Sequence, residues 1–253
     1  MIEAIQRELN ALKIPFDSEG NRIRCFPHVI NLVVKAGLRE VTELPDYEPE
    51  TIFDLHNNPV PQALMDNLDY WDALKLDPVA AARKPVTACR ASGQRREAFE
   101  ATIRAGNDAG GWGNAAEGLR VGELLKDVET RWSATFLMID RVLEQYLAID
   151  KFLNAPGQDE ITHHSFDETT LQVLQDIQRF LEIFHVVQEI VSAEKTPTLS
   201  IVLPMYEKLI CMLNNLAKEL EVLSHAIKAS VDKLEEYLGK SRGTKIYSLA
   251  MGT

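Results

Sequence analysis

Several things are scarce in this sequence. Its 253 residues hold only three cysteines, Cys25, Cys89 and Cys211, widely spaced and odd in number. That excludes a disulfide framework and points to a reducing compartment, nucleus or cytosol. No stretch carries about 18 consecutive apolar residues, the length a membrane-crossing helix needs. The opening MIEAIQRELNALKI mixes charged with apolar positions and does not resemble a signal peptide. Positive charge is also in deficit: 27 Lys and Arg face 38 Asp and Glu, a net of −11. Phosphate contacts need cations, so this balance is awkward for a DNA-binding reading. No internal repeat is visible.

The deficit is local. Between Glu40 and Asp77 ten acidic residues face one basic, Lys75, whereas Arg83 to Arg104 holds six basic and two acidic. Apolar residues make up 45% and charged residues 26%, ordinary values for a globular protein with a substantial core. Six of the eleven prolines fall within 40–85, which therefore reads as an acidic, Pro-rich linker or surface insertion.

Helical spacing dominates elsewhere. Residues 1–14 form a short amphipathic helix with Ile2, Ile5, Leu9 and Leu12 on one side. After the turn-forming PFDSEGN, RIRCFPHVINLVVKAGL starts extended and becomes a helix with Pro27 near its start and Gly37 near its end. A basic helix is expected over roughly 92–105, followed by a Gly-rich loop at 105–118. One stripe, Leu125, Val128, Trp132, Phe136, Ile139, Leu143, Tyr146, Ile149 and Leu153, predicts a long helix from about 122 until Pro156-Gly157. Further helices are expected over about 167–192, 200–223 and 225–239. TKIYSLAMGT reads as the beginning of an apolar strand.

Each chemical signal has a plain structural counterpart. Cys25-x-x-His28 supplies two zinc ligands, but a closed site needs four, and neither Cys89 nor Cys211 brings a second ligand at matching spacing. No zinc is expected. The run containing Arg90, Arg95 and Arg96 suits phosphate contact or a solvated helix face. Arg131-Trp132 suits a functional pair, but taken in isolation a core Trp beside a surface Arg is the better reading. Asp127 and Glu129 suit the positive end of the following helix. No pair of carboxylates declares itself catalytic.

Taken in order, the segments carry more. RCFPHVINLVVKAG, LLKDVETRWSATFLMIDRVLEQYLAIDKFL, FLEIFHVVQEIVSAEKTPTLSIVLPMYEKLI and KLEEYLGKSRGTKIYSLAMGT resemble successive motifs of the hAT family of DNA transposases, with SGQRREAFE similar to fungal members. The Thr-Arg-Trp helix is the most specific of these. The resemblance implies a mainly α chain, a long-helix bundle attached to incomplete ribonuclease-H-like α/β core fragments. It divides the chain into a core fragment with the Cys-x-x-His motif (1–39), the linker (40–85), a helical insertion region (86–239) and the start of a further core strand (240–253).

In the family, two aspartates and a distant glutamate hold two metal ions that activate water and a 3′-hydroxyl for attack at phosphate. The resemblance puts all three carboxylates, the DNA-binding zinc finger and the oligomerisation region outside this sequence. It thus implies a truncated or degenerate transposase with no catalytic residue and no bound cofactor, since Mg²⁺ or Mn²⁺ is expected only for an intact member. It also implies a nuclear protein that contacts transposon-end DNA at most. His28 resembles the histidine near the scissile phosphate. Arg131 and Trp132 match the pair that steadies a flipped base, a role that requires Trp132 to be at least partly exposed. The alternative is a helical module adapted from a transposase to bind a protein partner, whose identity the sequence leaves open.

Overall fold

The structure, a computed structural model, describes residues 2–18, 20, 22–42, 67–113, 118–128, 130–193 and 199–250. Among these the regular elements are helices, apart from an isolated bridge between Val128 and Arg131. The chain is mainly α. It splits into two compact units: residues 1–40 with 183–253, and residues 41–182.

Unit 1 contains α1 (Ile2–Ala11), α2 (Phe26–Thr42, as far as Glu40), the end of α8 (Glu168–Ala193), α9 (Leu199–Glu219), α10 (Ser224–Arg242) and α11 (Lys245–Ala250). Its core follows from spacing. Phe26, Val29, Ile30, Val33 and Val34 recur along α2 at helical intervals, and all are buried. On α9 the buried positions are Val202, Tyr206, Leu209, Leu213 and Leu216, and on α10 Ile227, Val231, Leu234 and Leu238. These 3- and 4-residue steps place one apolar seam on each helix, and the single 3-10 turn Glu221–Leu223 joins the pair as a helical hairpin. Phe26 meets Tyr206 edge to face, ring centroids 5.1 Å apart. Ser230 on α10 donates to the Val33 carbonyl at 3.0 Å.

The segment expected to begin a strand is helical instead. Lys245–Ala250 forms α11, while residues 251–253 lie outside those described. A short apolar run fits a helix or a strand by periodicity alone, and here Tyr247 decides. Its ring is buried and its hydroxyl donates to the Arg24 carbonyl at 3.3 Å. Helix α2 also runs beyond Gly37 to Thr42. Gly37 lies on the buried side, where the lack of a side chain is tolerated.

Unit 2 contains α3 (Leu68–Lys75), α4 (Pro78–Cys89), α5 (Gly93–Asp108), α6 (Trp132–Glu144), α7 (Tyr146–Leu153) and α8 up to Glu182. Helices α3 and α4 lie where the sequence suggests a linker. Tyr70, Trp71 and Leu74 of α3 and Ala82, Val86 and Cys89 of α4 are core residues, so 67–85 belongs to the folded unit. Residues 43–66 of that stretch lie outside those described. The helix start was written at Asp77-Pro78: the Asp77 side chain caps Ala80 N–H at 3.0 Å, and Pro78 occupies the first turn.

The long helix expected from about 122 is shorter and broken. Residues 118–128 and 130–131 are irregular, α6 begins at Trp132, and Gln145 interrupts the line before α7. Val128, read as part of the apolar stripe, is 46% exposed. Helix α5 runs three residues past its expected end at 105, to Asp108. Gly106 sits against Trp112, where a Cβ would fall 2.0 Å from the indole ring. The unit boundaries also cut the expected helical region inside α8, at Glu182–Ile183.

Candidate nucleic-acid interface

The residues that the sequence offers to DNA fall in both units. His28 is exposed in the first turn of α2 in unit 1, with Cys25 exposed one turn before it and carrying a free thiol. The others, Arg90, Arg95, Arg96, Arg131 and Trp132, all lie in unit 2.

What organises the unit 2 set is the irregular segment 118–128, held by polar side chains of three helices and of the turns at Arg90 and Gln145. Asn107 of α5 donates to the Leu119 carbonyl at 2.8 Å and accepts from the Leu119 N–H at 2.8 Å, while Trp112 Nε1 donates to the same side-chain oxygen at 2.9 Å. Gln145, fully buried in the break between α6 and α7, donates to the carbonyls of Arg120 at 2.8 Å and Gly122 at 3.3 Å. Arg141 of α6 donates to the Glu123 carbonyl at 3.3 Å and pairs with Glu144 at 2.8 Å. Arg90 donates to the Leu124 carbonyl. Arg83 of α4 meets Asp127 at 2.7 Å. A backbone without helix or sheet still has donors and acceptors to satisfy, and these side chains do so.

The arginines are therefore engaged within the unit. Arg90 pairs with Glu123 at 2.7 Å and Arg96 with the same carboxylate at 3.5 Å. Arg95 lies 3.9 Å from Glu160, a looser contact to a carboxylate 90% exposed. Its positive charge also acts on Cys89, but burial has the larger effect and pushes that thiol up to about 12. Glu123 had no role in the sequence reading, and Asp127, expected to suit the positive end of the next helix, pairs with Arg83 instead.

Arg131 and Trp132 part company. Arg131 is exposed and stands just before α6, its N–H donating to the Val128 carbonyl at 2.7 Å. Trp132 is 4% exposed. An indole so enclosed has no face to offer an extruded base, so the exposure that stacking requires is not met. The apolar stripe wins: Trp132, Phe136 and Ile139 recur at helical spacing and all are buried. Glu129 lies outside the described residues.

Among the described residues no three His, Cys, Asp or Glu side chains gather to hold a metal ion, and no helix is long and apolar enough to cross a membrane. No protein-family model matches the chain, and no curated protein or solved structure matches it either.

Proposed function

We propose that this chain is a hAT-transposase-like helical protein that works by binding a protein partner in preference to DNA. The kinship rests on the ordered motifs quoted above, and a ribonuclease-H-like descent for 1–39 and a nuclear location are parts of the same proposal. The observation that carries the choice of partner is the inward engagement of the arginines. Arg90 and Arg96 share Glu123, and a carboxylate already in place competes with phosphate for a guanidinium. The net charge of −11 adds long-range repulsion towards a polyanion.

Contact with transposon-end DNA remains the second reading, and the exposure of His28 and Arg131 favours it. Fluorescence anisotropy with a labelled DNA hairpin at low salt separates the two. The expected result is weak binding by the native chain, strengthened about tenfold in Glu123→Gln as two arginines are released towards phosphate. Tight, salt-sensitive binding by the native chain that Arg131→Ala abolishes would install DNA as the partner. Protein binding is then tested by cross-linking in cells and rebuilding the complex from purified components.

A further inference from the structure

Helix α1 is amphipathic, yet none of its residues is buried. Ile2, Ile5, Leu9 and Leu12 recur at helical spacing, and Leu12 is 70% exposed, with Ile5 and Ile14 exposed as well. The helix ends on a defined turn. Lys13 adopts a left-handed φ of 58°, its N–H donates to the Asn10 carbonyl at 3.0 Å, and the Ile14 N–H donates to the Leu9 carbonyl at 2.9 Å. A helix of ten residues is marginal in water unless its apolar face is packed.

The same unit carries an open recess. A cavity of about 430 Å³ lies between α9 and α10, and no residue of α1 lines it. Ile210 and Leu238 give it apolar walls. Gly239 keeps it open: a Cβ there would meet nothing within 4 Å. Glycine inside a helix costs stability against alanine, and at this place it leaves bare backbone that another chain can approach closely. Arg242 and Glu207, which also line the recess, pair with each other at 2.7 Å. Among the described residues neither Glu235 on the α10 side nor Lys13 at the end of α1 has an ion-pair partner.

We propose that the groove between α9 and α10 receives α1 of a second copy of this chain, giving a twofold dimer. Each copy offers one helix and one groove, so a twofold axis makes the contact twice and leaves neither surface over. Ile5 and Leu12 supply the apolar side chains that Ile210 and Leu238 would cover. The charges agree, since an unpaired cation follows the apolar face of α1 and an unpaired carboxylate stands at the groove. The contact uses unit 1 alone and is independent of whether protein or DNA is the partner of the chain.

Sedimentation velocity of the full chain from about 1 to 100 μM tests this. Reducing conditions keep the exposed Cys25 and Cys211 from forming a disulfide. The expected result is a dimer. Gly239→Leu fills the groove from a position with room for a side chain, and Ile5→Asp puts a charge on the exposed face of α1. Each should keep the helical dichroism and weaken dimerisation by at least about tenfold. Should Gly239→Leu unsettle α10, Cys211→Arg blocks the same recess from an exposed wall position. Mixing a groove variant with Ile5→Asp is the decisive step. The first keeps its helix and the second its groove, so the mixture regains one of the two contacts and should form a heterodimer that neither forms alone. A dimer that the variants leave intact, or a mixture no more associated than its parts, would overturn the proposal. So would a native chain that stays monomeric throughout, which would leave the groove to a helix of another protein.

Discussion

At the start of α6 two adjacent residues meet opposite environments, Arg131 in solvent and Trp132 4% exposed. Their difference sets the first expectation. Trp132→Ala should cost about 3–5 kcal/mol of stability, as truncation of a buried Trp does, and leave any DNA affinity of the folded protein unchanged. A thermal melt and a binding titration on the same sample check both halves. Loss of DNA affinity without loss of stability would return the indole to a stacking role. Cysteine gives a second test at this scale. Cys89 is buried with its thiol pushed up to about 12, while Cys25 and Cys211 are exposed. A thiolate is the reactive form, so two thiols should react with a disulfide reagent in the native protein and the third only on unfolding. The sequence showed that Trp132 belonged to an apolar stripe. It could not show whether that stripe was covered at its N-terminal end, because covering depends on which elements pack there.

Elements of regular spacing were legible, and those built from side-chain contacts to irregular backbone were not. Helices α8, α9 and α10 fall within a few residues of their expected spans because each carries a long apolar seam. The segment 118–128 is different. It takes its shape from Asn107, Gln145, Arg141 and Arg90, residues distant along the chain that bond its backbone, and no local pattern announces such pairings. Helices α3 and α4 were obscured for another reason: proline and acidic content outweighed the capping signal at Asp77-Pro78. Their structural role is open to test through Tyr70, whose hydroxyl donates to Asp176 at 2.8 Å where that carboxylate is 8% exposed. Gln172 supplies the other donor at 3.2 Å. Tyr70→Phe leaves a buried carboxylate short of one donor and should cost about 1–3 kcal/mol. Chemical denaturation measures this directly, and a change below a few tenths would mean that α3 contributes little to the unit.

The whole molecule offers a probe that its composition happens to supply. All three tryptophans, Trp71, Trp112 and Trp132, lie in unit 2, whereas both units are helical. Tryptophan emission therefore reports unit 2 alone, and far-ultraviolet circular dichroism reports both. Helix α8 runs through the boundary between Glu182 and Ile183, so the chain has a route for coupling, yet each unit has buried apolar positions of its own. If the cores are separate, the two optical curves should part in denaturant, since two-state behaviour requires different probes to coincide. Core truncations sharpen the test. Ile139 in unit 2 and Leu234 in unit 1 are both fully buried, and replacing either with Ala should cost about 2–5 kcal/mol. Ile139→Ala should move the fluorescence midpoint, whereas Leu234→Ala should leave it in place and shift only part of the dichroism change. Coincident curves displaced by both substitutions would show one cooperative unit. The motifs on the two sides of the boundary would then be acting through a shared core, and partner binding on either unit would stabilise the whole chain.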